Sequence, residues 1–190
     1  DTRRQDVFRV LAIVLLSLVL TFQLQGCFTQ YRFVSAMALI VFTLIAVMAG
    51  ISQYDVHPDE GVHVKAAKYF QHHNLPPPQL VLLKFDKRNA STVFQAAQLE
   101  IAYFVAGKFA WLLQPLQLPP YLVLRFFNVT LFVLLVVAAA KYVTYRILLL
   151  PLLLSPQVWY IFSYFNSEAF GLFIILLTAF QMVTPDSTWN

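Results

Sequence analysis

Long apolar runs alternate with short polar links along most of the chain, and this pattern predicts an all-α protein built from membrane-length helices. The run from Val10 to Tyr31 carries no charge and follows Arg3, Arg4 and Arg9. At ~1.5 Å per residue it matches a hydrocarbon layer of about 30 Å, so it is read as a first span. A second uncharged run, Phe33 to Tyr54, follows after Arg32. Further on, Tyr121 to Val143 and Ile147 to Phe165 read as spans, the latter containing Pro151 and Pro156. Ala169 to Val183 begins a last one before a polar tail. Val93 to Leu113 is apolar but carries Glu100 and Lys108, and it ends in prolines. A surface or re-entrant helix fits it better than a span.

Between the second span and Glu100 the pattern changes. Pro58 suits the first turn of a helix, Asp59 and Glu60 suit its positive end, and Asn74 with three prolines stops it near His73. Val62, Ala66, Tyr69, Phe70 and His73 share one face at helical spacing, with Lys65, Lys68 and His72 opposite. The periodicity predicts an amphipathic helix lying at a membrane surface. Leu80 to Phe85 is a short apolar stretch, and Asn89-Ala90-Ser91 is a sequon on an outward-facing loop.

Composition sharpens this picture. Hydrophobic residues make up 59% of the 190-residue chain, charged residues 12%, and the mean hydropathy is +0.68. These values predict a polytopic integral membrane protein forming one helical domain over residues 1–190. The net charge of +4 comes from cations scattered between apolar runs, so no nucleic-acid surface is expected; membrane lipids are the expected contacts. A lone cysteine, Cys27, excludes an intrachain disulfide and a cysteine-based metal site. Lys141 and Arg146 place their loop in the cytoplasm, and hence Glu168, Arg125 and the Asp59 region on the other face. The same parity puts the N-terminal arginines outside, against the positive-inside rule.

Carboxylates beside hydrocarbon are expensive, so the polar island Tyr54 to Pro78, with Asp55, Asp59, Glu60 and all four histidines, is where chemistry is sought. Asp59, Glu60 and Glu168 are candidate catalytic residues, since a carboxylate can take a proton from an acceptor hydroxyl. Arg125 is a candidate donor-phosphate ligand, since a guanidinium can neutralise a departing phosphate. The same residues also suit a purely structural role: Asp59 and Glu60 holding a helix start, Arg125 reaching toward headgroups. Asp59, His63 and Glu168 offer oxygen and nitrogen ligands to a divalent metal, the sole cofactor for which the sequence supplies candidates. His72 and His73 read as interfacial polar positions.

In order, HPDEGVHVKAAKYFQHHNLPPP, QLEIAYFVAGKF, YLVLRFFNVTLF and SPQVWYIFSYFNSEAFGLF resemble the N-terminal half of a GT-C type glycosyltransferase. The likeness is to a bacterial membrane branch whose members mostly carry only a domain-of-unknown-function label. It covers about Phe33 to Gln181 and rests on Pro58-Asp59-Glu60, on Arg125 to Asn128, and on Asn166-Ser167-Glu168. The resemblance implies a GT-C-like helical bundle, the N-terminal part of a longer GT-C module, that moves a sugar from a polyprenyl-phosphate donor to an acceptor hydroxyl on the non-cytoplasmic face. It implies Asp59 as base, Glu60 and Glu168 as residues shaping the site, and Arg125 at the donor phosphate. The plasma (inner) membrane is the expected location, with the endoplasmic reticulum as the alternative. The second functional reading is a non-catalytic accessory subunit, a truncated GT-C-like fold packed into a larger membrane complex.

Overall fold

The computed structural model describes residues 11–15, 32–76, 101–142 and 146–183, and these are all-helical. Seven helices carry the fold: α1 (Arg32–Ile51), α2 (Glu60–His72), α3 (Ile101–Leu112), α4 (Pro120–Lys141), α5 (Arg146–Leu154), α6 (Pro156–Ser163) and α7 (Glu168–Val183). Most of Val10–Tyr31, the stretches Leu80–Phe85 and Val93–Glu100, the Asn89 sequon and the N-terminal arginines lie outside the described residues. Helical residues 11–15 bring Ile13 against the core.

α4 is the central post, packed against each of the other six helices. α1 lays Ala38, Val41, Phe42, Ile45, Ala46 and Ala49 into the core, a three- and four-residue repeat that forms one helix face. Its opposite face leaves Ile40 and Leu44 exposed. Among the described residues, α4 is by length and composition the one single helix that could cross a membrane, over Pro120–Ala139. α6 and α7 qualify as a pair, although bent by 120°.

The predicted span Ile147–Phe165 is divided. Pro156 disfavours helical geometry in the residue before it, and Ser155 is extended at φ −101°, ψ 109°. Pro156 also has no N–H for the carbonyl of Leu152, and the indole Nε1 of Trp159 donates to that oxygen instead, at 3.0 Å. The chain thus turns between α5 and α6 with the freed acceptor satisfied.

The predicted amphipathic helix exists as α2, but its packed face is rotated from the sequence reading. His63, Val64, Ala66, Ala67 and Phe70 are buried, Val62 and Tyr69 are half-buried, and His73 is exposed. The cause is α3, which lies along α2 with Tyr103 against His63 and Gly107 against Ala67 and Phe70. A Cβ on Gly107 would stand 2.6 Å from the Ala67 carbonyl oxygen, 2.8 Å from the Phe70 carbonyl carbon and 2.9 Å from the Gln71 nitrogen. All three are backbone atoms, so no side-chain rotation relieves the clash. Gly107→Ala is therefore expected to destabilise the fold by about 1–3 kcal/mol, read from the midpoint of thermal or denaturant unfolding in detergent.

Candidate functional site

The site forms where the C-terminus of α1, the N-termini of α2 and α4 and the α6–α7 turn meet. Its anchor is Arg125, on the second turn of α4 and fully buried. Nε donates to Glu60 Oε1 at 2.6 Å and Nη2 to Glu60 Oε2 at 2.8 Å, a two-pronged ion pair between side chains that are both 0% exposed. Nη1 donates to the carbonyls of Ala49 (3.0 Å) and Ser52 (2.7 Å), and Nη2 also to Gln53 (2.9 Å). A guanidinium has five N–H groups, and all five are used. Three of them close the carbonyl end of α1, where positive charge opposes the helix dipole. Tyr121 covers the guanidinium at 5.1 Å and packs in turn on Tyr54.

This geometry corrects two expectations from sequence. Arg125 has no N–H left for a donor phosphate, and Glu60, buried and engaged on both oxygens, cannot act as a base. Together they tie the end of α1 to the start of α2 and so fix the loop between them.

The loop itself is built on aspartates. Asp55 and Asp59 both hold positive φ, 65° and 55°, a region that Asp tolerates better than most residues. Asp55, not Asp59, caps α2: its Oδ1 accepts from the Gly61 N–H at 2.9 Å, while its own N–H donates to Glu60 Oε2 at 3.1 Å. Asp59 makes no side-chain cap bond and is exposed. It is a left-handed residue whose carboxylate is left out of the local scaffold.

Glu168 opens α7 and is exposed. Asn166 prepares that start: its Oδ1 accepts from the Ala169 N–H at 2.8 Å, and its Nδ2 donates to Ile161 O at 2.7 Å and Tyr164 O at 3.1 Å. Asn128, buried in α4, donates to Tyr164 O at 2.6 Å and draws the turn onto α4 beside Arg125. The Tyr164 hydroxyl, in the turn outside both helices, is pushed up by burial and then by the charges of Glu168, Tyr160, Glu60 and Asp59. His57, two residues before Asp59, packs on Tyr164 and Tyr160, just before Glu168, so Asp59 and Glu168 lie at the same end of the bundle. Metal binding by Asp59, His63 and Glu168 finds no support in this arrangement. His63 is buried, its Nδ1 sharing a 2.5 Å hydrogen bond with the Tyr103 hydroxyl. Among the described residues no three His, Cys, Asp or Glu side chains converge to hold an ion.

His57 was not singled out by sequence reasoning, yet it stands in the centre of the site. Its ring stacks on Tyr164 at 4.8 Å, its Nδ1 shares a 3.1 Å hydrogen bond with the Tyr160 hydroxyl, and its Nε2 is buried without a partner. Burial lowers its pKa below the ordinary 6.5; the Glu60 charge pulls it up, and the Arg125 charge lowers it further. A depressed folded-state pKa contributes stability above the unfolded value that is lost as pH falls through the folded one. The protein is accordingly expected to lose stability as pH drops below about 6.5, and His57→Gln should flatten that part of a melting-temperature profile.

No protein-family model, curated protein or solved structure matches the chain. The described residues form an all-helical bundle with a polar, carboxylate-bearing end and one helix of membrane-crossing length, or two spans if the bent α6–α7 pair is counted as one.

Proposed function

We propose that this chain is a multi-pass membrane glycosyltransferase module of the GT-C type, transferring sugar from a polyprenyl-phosphate donor to an acceptor hydroxyl at the non-cytoplasmic face. The observation that carries the reading is Asp59: an exposed carboxylate in left-handed backbone, held by a buried ion pair and excluded from the helix cap beside it. Unfavourable backbone geometry kept in place by surrounding structure is concentrated at working sites. Asp59 takes the proton of the acceptor hydroxyl as that oxygen bonds to the sugar's anomeric carbon, and the bond to the donor phosphate breaks with its electron pair leaving on phosphate. Glu168, at the same end, orients the acceptor. Glu60 and Arg125 are positioning residues. The donor phosphate is held by groups outside this constellation.

Membrane insertion is supported by the outward faces of the helices. Ile40 and Leu44 on α1, Leu134 and Val137 on α4 and Ile175 and Met182 on α7 are exposed, Met182 by 83%. Apolar surface distributed in this way suits hydrocarbon better than water. α2, at 13 residues about 20 Å long, is too short to cross and, with α3 packed along it, forms the surface layer at the polar end.

The test is sugar transfer by the intact protein in proteoliposomes supplied with radiolabelled polyprenyl-phosphate-linked sugar and hydroxyl acceptors. Transfer above protein-free liposomes is expected. If the intact protein is folded and inserted but transfers nothing, and co-purifies with a larger membrane complex, the accessory-subunit reading replaces this one.

A further inference from the structure

A second feature lies at the far end of α2 from Asp59, roughly 18 Å along the helix. Two hollows meet there, sharing Gln71 and Trp111 in their walls. The smaller, about 350 Å³, is polar: Lys108, His72 and Asn74 line it. The larger, about 870 Å³, is mostly apolar, walled by Trp111, Leu112, Leu113, Leu118 and Val123. Among the described residues no carboxylate lines either hollow. Trp111 is 57% exposed, and Leu112 and Leu116 next to it are as open.

Lys108 is fixed but not used up. Its ammonium donates to the His73 carbonyl at 3.2 Å and sits 5.3 Å from the centre of the Phe104 ring, a geometry that leaves two of its three protons for an acceptor in the hollow. A cation beside a pocket of neutral polar groups, continuous with an open apolar trough under an indole, matches an amphiphile: anionic head, hydrocarbon tail. The chemistry does not fit a soluble anion, which would leave Trp111 and Leu112 in water, or a neutral lipid, which would leave the ammonium unanswered.

We propose that this double hollow binds an anionic bilayer phospholipid, its phosphate against Lys108 and one acyl chain along Trp111 and Leu118. The proposal rests on the membrane reading above but not on the sugar-transfer chemistry. A lipid held there seats the α2–α3 layer on the membrane and so holds the Asp59 end at the level of the headgroups. It answers the exposure of the α3 end, which the packing of the described helices leaves open.

The experiment uses the delipidated full chain in neutral detergent, titrated with phosphatidylglycerol or phosphatidylcholine brominated on the acyl chains, with tryptophan quenching as readout. Trp111→Phe identifies the part of the quench that belongs to Trp111. The wild-type protein is expected to take phosphatidylglycerol at about fivefold lower concentration than phosphatidylcholine, the effect of one cation near a headgroup. Lys108→Gln should abolish that difference and Lys108→Arg should keep it, while Leu118→Ser should weaken both lipids alike. Equal curves for the two lipids in the wild type overturn the proposal, as does a preference that survives in Lys108→Gln or a quench unchanged in Trp111→Phe. Full displacement of the lipid by millimolar inorganic phosphate also overturns it, marking a simple phosphate site. Failure of the membrane reading is distinguishable: the protein would then stay monodisperse without any detergent.

Discussion

Arg125→Met will cost about 3–5 kcal/mol of stability, close to the whole of what many domains possess. Two losses combine. Glu60 would remain 0% exposed with no cation, and the carbonyls of Ala49, Ser52 and Gln53 would lose their donors at the end of α1. Glu60→Gln keeps the Nε bond and the three carbonyl contacts but turns an NH2 toward Nη2 and the Asp55 N–H. It also leaves the buried cation without its counter-charge, so it should destabilise as well. The double variant Arg125→Met with Glu60→Met should be milder than the sum of its parts, since no buried charge is then left alone. Unfolding of the wild type, Arg125→Met, Glu60→Met and the double variant in detergent gives all four corners of that cycle. A loss in Arg125→Met of under about 1 kcal/mol would mean that the guanidinium is not the anchor its five hydrogen bonds describe.

Asp59→Asn will leave the fold intact and reduce the proposed sugar transfer by about 10²- to 10⁴-fold, the usual worth of a positioned general base. The substitution separates chemistry from backbone. Asn accepts left-handed φ as readily as Asp does, and the cap on α2 comes from Asp55, so neither the 55° torsion nor the helix start is disturbed. Asp59→Ala differs: alanine pays for left-handed backbone, and about 1 kcal/mol or more of stability should go with the activity. Melting temperature and transfer rate measured on both variants distinguish the two effects. An Asn variant that melts as the wild type does and still transfers at full rate would remove Asp59 from the reaction.

How much of this was legible beforehand depends on sequence distance. Apolar runs announced α1, α4 and α7, and Pro58 with Asp59 and Glu60 announced α2, because those cues are local. The break at Ser155 was also written locally, in Pro156, but the surrounding leucines masked it in a reading governed by hydropathy. The capping of α2 by Asp55 escaped because it reaches six residues forward to Gly61, outside the usual cap spacing. Arg125 stands out in the sequence as a cation inside an apolar run, but its structural task does not. Its partners lie 65 to 76 positions earlier in the chain, and three of them are backbone carbonyls, which no residue identity betrays. His57 was invisible for the same reason: its clamp is Tyr160 and Tyr164, more than a hundred positions away. The family resemblance named Asn128 and Asn166; the structure gives both a local task, holding the α6–α7 turn that carries Glu168.

The central claim is that two carboxylates far apart in sequence share one outward side of a bilayer. Its most direct measurement is labelling by a membrane-impermeant maleimide in sealed vesicles of known orientation, with Cys27→Ser as background and Asp59→Cys or Glu168→Cys added singly. Both sites are exposed, so both will react when the non-cytoplasmic face is outward and neither when it is inward. Labelling of positions 59 and 168 from opposite sides, or of both from the cytoplasmic side alone, would contradict it.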